Sequence, residues 1–218
     1  DTTAVALAAA LGVAECEIFT DTDGVYTADP HRVERASKLR AVDYTAMLEL
    51  ASHGAKVLHP RSVWYARRYG IAIHVRSSFS PITGTLITDR STSQEGSMFT
   101  DKPVTGVALD TGHTRIDIHS VPDQPGVAAR LFQALAAAKV SVDMIIQGVR
   151  GAGDSRQQMA FIVSDDLVPE ALEALGPVLE EWGAHAEVDR DVAKISVVGV
   201  AIGSTPGIGA TLFGAVAG

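Results

Sequence analysis

The sequence predicts a two-part α/β protein: an α/β layer on a mostly parallel sheet, then a ferredoxin-like βαββαβ unit and the opening of a second such unit. Three observations carry this expectation. Strands alternate with helices through residues 2–87. After a polar stretch the order changes to strand, helix, strand, strand, helix, strand. A Pro-Gly run then appears twice, at Pro125 and again at Pro206.

Taken in order, residues 2–11 read as an Ala-rich helix closed by Gly12, and residues 16–20 as a short strand running into the polar turn 21–24. Residues 43–51 form a helix with Asp43 as N-cap, and residues 62–69 another, with Pro60 just ahead and Gly70 ending it. Strands follow at 71–75 and 85–87. Residues 88–102 carry Ser, Thr, Gly and charge without apolar periodicity, which reads as a linker. Beyond it come strand 115–119, helix 127–139, strands 142–147 and 157–163 with a hairpin turn at 151–154, helix 169–182 and strand 186–189. Val127, Leu131 and Leu135 fall on one helical face, as a helix lying on a sheet requires. Pro125-Gly126-Val127-Ala128-Ala129-Arg130-Leu131-Phe132 reappears as Pro206-Gly207-Ile208-Gly209-Ala210-Thr211-Leu212-Phe213, and the second copy stops after one strand and one helix. The expected division is therefore 1–90, a linker at 91–102, 103–190, and a truncated repeat at 191–218.

Length and composition narrow the function. A chain of 218 residues suits one or two domains, and 46% hydrophobic against 20% charged residues excludes a disordered chain. Lys and Arg total 18 against 26 Asp and Glu, a net charge of −8, which is the wrong sign for a nucleic-acid or anionic-membrane surface. An anionic ligand therefore needs a local positive site. Cys16 is the only cysteine, so no intrachain disulfide forms and a reducing cytoplasm is the expected compartment. Neither a signal peptide nor an apolar run of roughly 18 residues is visible. A chain opening on Asp1 and ending in an apolar helical run reads as a piece of something longer.

Several familiar sites are absent. There is no P-loop and no G-x-G-x-x-G after a strand, and His53 and His59 are wrongly spaced to share a helix face around zinc, so no metal ligands are assigned. The run from Thr20 to Pro30 differs, placing hydroxyls, carboxylates and a Gly turn directly after a strand, with Tyr26 able to pack on a purine. It reads equally as a surface turn with Tyr26 folded on the core. Lys56 follows a helix-ending Gly, where its ammonium can meet a phosphate or simply be solvated.

The blocks T-D-x-D-G-V-Y-T-A-D-P, M-L-E-L-A-S-H-G-A-K-V-L-H-P-R-S and V-R-S-S-F-S…G-T-L-I resemble the C-terminal half of the aspartokinase catalytic domain, within the amino-acid kinase family. Asp1-Thr2-Thr3-Ala4 resembles the end of that family's G-R-G-G-S-D-T-T-A motif, and the doubled Pro-Gly run resembles its tandem ACT domains. The resemblance implies an amino-acid kinase α/β fold followed by ACT domains, and transfer of the ATP γ-phosphoryl group to the side-chain carboxylate of L-aspartate with Mg²⁺, at the entry to lysine, threonine and methionine synthesis. It implies that Thr20, Asp21 and Tyr26 hold the nucleotide, that Lys56 and Val57 close the site, and that Asp1 is catalytic, beside the substrate and the phosphate-binding Lys. The family's Arg after D-P is here His31, so Arg32 is the expected substitute.

In the ACT region the resemblance implies an amino-acid effector, lysine or threonine or both, held by Asp123, Gln124, Pro125, Gly126, Val127 and Ala128 and by Ser141, Val142, Asp143 and Gln147. A loop ending in Pro-Gly at a helix start offers free N–H groups to a carboxylate, Asp123 can take the ammonium, and Gln147 the side chain. From the residues alone, without the resemblance, Asp123 reads first as a helix cap. The resemblance further implies homo- or hetero-oligomers built through ACT domains. The family's N-terminal K-F-G-G motif is absent from these residues, so the chain alone is expected to be inactive. The rival expectation is a non-catalytic regulatory ACT subunit, for which Met98 would be a suitable internal start.

Overall fold

Helix α1 (Thr2–Leu11) is an Ala, Val and Leu run that buries Val5 and Ala8 and closes at Gly12. Strand β1 (Glu15–Thr20) follows, then β2 (Ala41–Asp43) and α2 (Tyr44–Ser52), whose first turn is capped by Asp43 accepting from Ala46 N at 2.9 Å. Helix α3 (Pro60–Tyr69) begins two residues earlier than its apolar spacing predicts. Pro60 fits the first helical position, and His59 Nδ1 accepts from Arg61 N. Strands β3 (Ala72–Ser77) and β4 (Thr85–Thr88) complete a four-stranded sheet in the order β1-β3-β4-β2.

Two of its pairs, β1 with β3 and β2 with β4, are parallel, and β3 with β4 is antiparallel, so the sheet is mixed with a parallel majority. Strand β3 alternates along its length: Ile73 and Val75 are buried with Val5, Met47, Leu50 and Val63, while His74 and Arg76 take the other face.

This computed structural model describes residues 1–89, 99, 102–148, 156–200 and 202–217. The expected linker 91–102 lies almost wholly outside the described residues, as do Met98 and the hairpin turn 151–154.

Strand β5 (Gly106–Asp110) precedes a βαββαβ series: β6 (His113–Pro122), α4 (Val127–Ala137), β7 (Asp143–Gln147), β8 (Arg156–Ser164), α5 (Val168–Trp182) and β9 (His185–Asp189). The sheet order is β7-β8-β6-β9, with every pair antiparallel, as the ferredoxin-like pattern predicts. Ile116, Ile118, Leu131, Leu135, Phe161 and Leu175 form its core. Helix α4 stops at Ala137, two residues before the expected end, because Lys139 adopts a φ of 60° and Val140 N returns to Leu135 O.

Strand β10 (Lys194–Val198) pairs with β5, and the second Pro-Gly run opens helix α6 (Ile208–Ala217), which buries none of its side chains. Two compact units result, one of Asp1–Leu109 with Ile195–Gly218 and one of Asp110–Lys194. The chain thus leaves the first unit after β5, builds the ferredoxin-like unit, and re-enters the first at β10. No described helix is long and apolar enough to cross a membrane.

Candidate functional site

In the first unit, β1 and β3 run parallel and end together, with Ser78 N donating to Thr20 O at 2.8 Å. Helices α1 and α3 each precede one of these strands and pack together, so their N-termini arrive at the same end of the sheet. There Asp1 Oδ2 accepts from His59 N at 3.1 Å. The carboxyl ends of parallel strands are where open α/β sheets place ligands, and most of the expected kinase residues gather here.

Thr20 ends β1 and donates to Asp21 Oδ1 at 3.0 Å, leaving Asp21 exposed. Tyr26 is half-buried and its hydroxyl donates to Asp23 Oδ1 at 2.7 Å; Lys38 Nζ donates to Asp23 Oδ2 at 3.1 Å and to Thr83 O at 3.0 Å. The Tyr26 hydrogen bond, and then Lys38, hold Asp23 below the usual carboxylate range. The same bond, with burial, pushes the Tyr26 phenol up. Lys56 is exposed and pairs with no carboxylate among the described residues, while the neighbouring Val57 packs on the core. Arg32 lies 3.7 Å from Asp29 Oδ2, and His31 N donates to Asp29 Oδ1, so Asp29 organises both candidates for the missing Arg position.

In the second unit, Gly126 adopts a φ of 92°, which favours glycine, and is the N-cap of α4 with no side-chain cap bond. Asp123 lies three residues ahead of this cap and is half-buried, while Gln124 and Pro125 are exposed. Gln124, Pro125, Gly126 and Val127 line a concavity of about 480 Å³ together with Arg130, Glu181 and Trp182. Arg130 forms a bidentate pair with Glu181 and stands 5.8 Å from the Trp182 ring. Ala128 and Val142 pack against the core, and Ser141 is exposed.

Strand β7 divides the remaining residues. Met144 has a φ of 37°, and the register slips between Asp143, opposite Ile162, and Ile145, opposite Phe161. This bulge breaks the two-residue alternation. Gln147, opposite Met159, consequently shares the face of the buried Met159 and Phe161, whereas Asp143 shares that of Ile162. Gln147 Nε2 donates to Gln157 Oε1 at 2.9 Å. Asp143 receives the Lys194 ammonium, which holds its carboxyl below the usual range.

Sequence reasoning missed Lys38, Asp23, Arg130, Glu181 and Lys194. Opposite charges far apart in sequence were the available signal, but nothing local ties them together. It also missed a group of potential metal ligands. His74 Nδ1 stands 3.4 Å from Glu15 Oε1 and 3.8 Å from Glu17 Oε1, and Arg76 pairs with Glu17 at 2.7 Å. With that guanidinium inside it, the group acts as an ion network on the sheet face. A further cavity of about 440 Å³, lined in part by Asp43, Glu49, Arg67 and Asp89, contains none of the expected site residues.

The amino acid kinase family model matches residues 1–77, and the ACT domain model residues 114–179. The aspartokinase of Thermus thermophilus is 58% identical over 217 residues, 100% of this chain and 52% of that protein. E. coli aspartokinase III in complex with aspartate and ADP (R-state) matches with a TM-score of 0.78 at 28% identity, covering 98% of this chain and 46% of that one. Its complex with lysine and aspartate (T-state) matches at 0.69 and 29%, with the same coverage. The ligand-free regulatory subunit of aspartate kinase from Thermus thermophilus is 58% identical, with a TM-score of 0.51, over 53% of this chain and 76% of that one. The chain spans about half the length of the curated relatives it matches. By identity along its whole length, by the order of its two domain types and by the folds it matches, this chain belongs to the aspartokinase family.

Proposed function

We propose that this chain is the part of an aspartokinase that carries the nucleotide side of the kinase site and an amino-acid-binding regulatory unit. The reaction is transfer of the γ-phosphoryl group of ATP to the side-chain carboxylate of L-aspartate, as a step of lysine and threonine synthesis in the cytoplasm. The observation that carries the reading is the meeting of Asp1 with the turn bearing Lys56 at the carboxyl ends of β1 and β3. Such transfer needs positioned cations and backbone donors more than covalent chemistry.

In this reading Thr20, Asp21 and Tyr26 hold the nucleotide, Lys56 neutralises a phosphate oxygen, Val57 walls the site, and Asp1 orients substrate and the phosphate-binding Lys. Arg32 must leave Asp29 to reach a phosphate. The exposed carboxylate of Asp21 and the hydroxyl of half-buried Thr20 suit a hard cation. Mg²⁺ carried on the phosphates would spread the charge of the transferring group, while these residues orient the complex.

In the second unit, lysine or threonine binds at the start of α4, its carboxylate on the helix N-terminus and its ammonium on Asp123. Gln147 reads the side chain, and residues 191–218 open a second ACT domain through which subunits associate. E. coli aspartokinase III, crystallised with lysine, supports an amino-acid effector.

The test is a coupled ADP-release assay. The full-length protein should show aspartate-dependent turnover, and the 218-residue chain alone should show none. Aspartate-independent ADP release by the full-length protein would sink the reading. The likeness to a separate regulatory subunit supports a second reading, an effector-binding module without catalysis; full-length protein that binds lysine or threonine but never turns over would favour it.

A further inference from the structure

Residues 25–27 and 37–39 run antiparallel: Leu39 N donates to Val25 O at 2.8 Å, Thr27 N to Ser37 O at 2.9 Å, and Tyr26 bridges Lys38. A regular pair would return the Val25 N–H to the Leu39 carbonyl. Instead the hydroxyl of Thr85, the first residue of β4, stands between them. It accepts from Val25 N at 2.8 Å and donates to Leu39 O at 2.6 Å. Thr85 has no solvent exposure, and Val25 and Leu39 are 1% and 7% exposed, so no water replaces that hydroxyl.

We propose that Thr85 is a positioning residue for the nucleotide loop: its hydroxyl, inserted between two backbone segments, sets where Asp21 to Tyr26 stand relative to the sheet. The inference rests on the nucleotide reading above. Two further contacts make the tie specific. A Cβ on Gly24 would lie 2.5 Å from Thr85 Oγ1 and 3.1 Å from Lys38 Cδ, and Gly24 has a φ of 148°, so only glycine lets the loop approach the hydroxyl. Two residues before Thr85, the Thr83 carbonyl holds Lys38 Nζ, which also holds Asp23, the partner of the Tyr26 hydroxyl. The entry to β4 thus braces both sides of the loop. Because a hydroxyl both donates and accepts, serine can replace threonine here and valine cannot.

The test is steady-state kinetics of the full-length enzyme with ATP and aspartate varied separately. Thr85→Val should raise the ATP KM about tenfold, from two buried backbone groups losing their partner. The aspartate KM should stay within about twofold, and Thr85→Ser should restore the ATP KM, which a merely structural contact would not separate. An unchanged ATP KM in Thr85→Val, or a serine variant as impaired as the valine one, overturns the proposal. If Thr85→Val does not fold, Gly24→Ala tests the same tie by pushing the hydroxyl aside: an ATP-specific rise supports it and an unchanged ATP KM overturns it. Lys56→Ala and Tyr26→Ala are measured alongside. If both leave the ATP KM unchanged, the nucleotide reading fails, whereas a rise in those two with none in the Thr85 and Gly24 variants removes the positioning role alone.

Discussion

The Asp1 carboxylate accepts a hydrogen bond from His59 N at 3.1 Å, although Asp1 is itself the N-cap of α1 and makes no side-chain cap bond there. The side chain thus serves the start of α3 instead of its own helix. Two helix N-termini meet at one carboxylate, a location where negative charge is stabilised by both dipoles. In the full-length enzyme Asp1→Ala is predicted to lower kcat by about a hundredfold, the usual scale for losing one preorganised polar group. Rapid-quench or coupled kinetics would measure it, and a kcat within a factor of about three would remove Asp1 from the catalytic set.

Lys56 is exposed and makes no ion pair among the described residues, so its substitution removes a charge without breaking a structural contact. Lys56→Ala is expected to raise the ATP KM by about tenfold while leaving the melting temperature within about 1 °C of wild type. Matched kinetics and thermal melts check both halves.

Asp29 engages Arg32 at 3.7 Å and the His31 N–H at 2.9 Å. An arginine introduced by His31→Arg would carry a permanent charge without first leaving Asp29. The ATP KM should be unchanged or lower in this variant, and a rise would show that His31 itself contributes a contact that arginine cannot supply.

Asp123→Ala tests the proposed ammonium site ahead of α4, whose N-cap is Gly126. Feedback inhibition should be lost with catalysis largely intact, because losing a charge-assisted bond of about 1.5 to 3 kcal/mol weakens an effector by at least roughly tenfold. Calorimetric titration of lysine and threonine, separately and together, is the measurement. Gln147→Ala, which in the proposed site would touch only the effector side chain, should weaken binding less or change which amino acid binds. Tight binding by the Asp123 variant would place the effector elsewhere.

Acid should weaken both units. Asp23 and Asp143 have folded pKa values lowered, Asp23 by Tyr26 and then Lys38, Asp143 by Lys194. Each therefore binds a proton more readily when unfolded. Their stabilisation is fully present above the unfolded carboxylate value of about 4 and fades as pH falls below it through the folded value. The Lys194 side chain is 6% exposed but that of Asp143 is 46% exposed, so solvent screening limits the pair to about 1 kcal/mol. Urea midpoints should show Asp143→Asn less stable than wild type at pH 7, with the gap closing toward about pH 3. A gap that does not depend on pH would mean that the pairing contributes nothing.

Much of this molecule was legible locally. The cap at Asp43, the proline at the start of α3, the ends at Gly12 and Gly70 and the face of Val127, Leu131 and Leu135 are decided by residues a few positions apart, where side-chain geometry and helix period act directly. The expected kinase residues could be named because Thr20 to Tyr26 and Lys56 to His59 are contiguous runs following a strand or a helix, and the Pro-Gly run at Pro125 falls in the stretch that the ACT model matches. What local pattern could not decide is partnership across the sequence. The three-residue β2 is too short to show a period, and β5 pairs with β10 although the whole ferredoxin-like series lies between them in sequence. The Met144 bulge, which sends Asp143 and Gln147 to opposite faces, arises from register against β8. Asp143 with Lys194, Lys38 with Asp23, and Thr85 between Val25 and Leu39 join groups 51, 15, 60 and 46 residues apart. A side chain's capacity to donate, accept or carry charge is written in its residue type. Which partner meets that capacity is set by strand register and burial, and these exist only once the tertiary structure has formed.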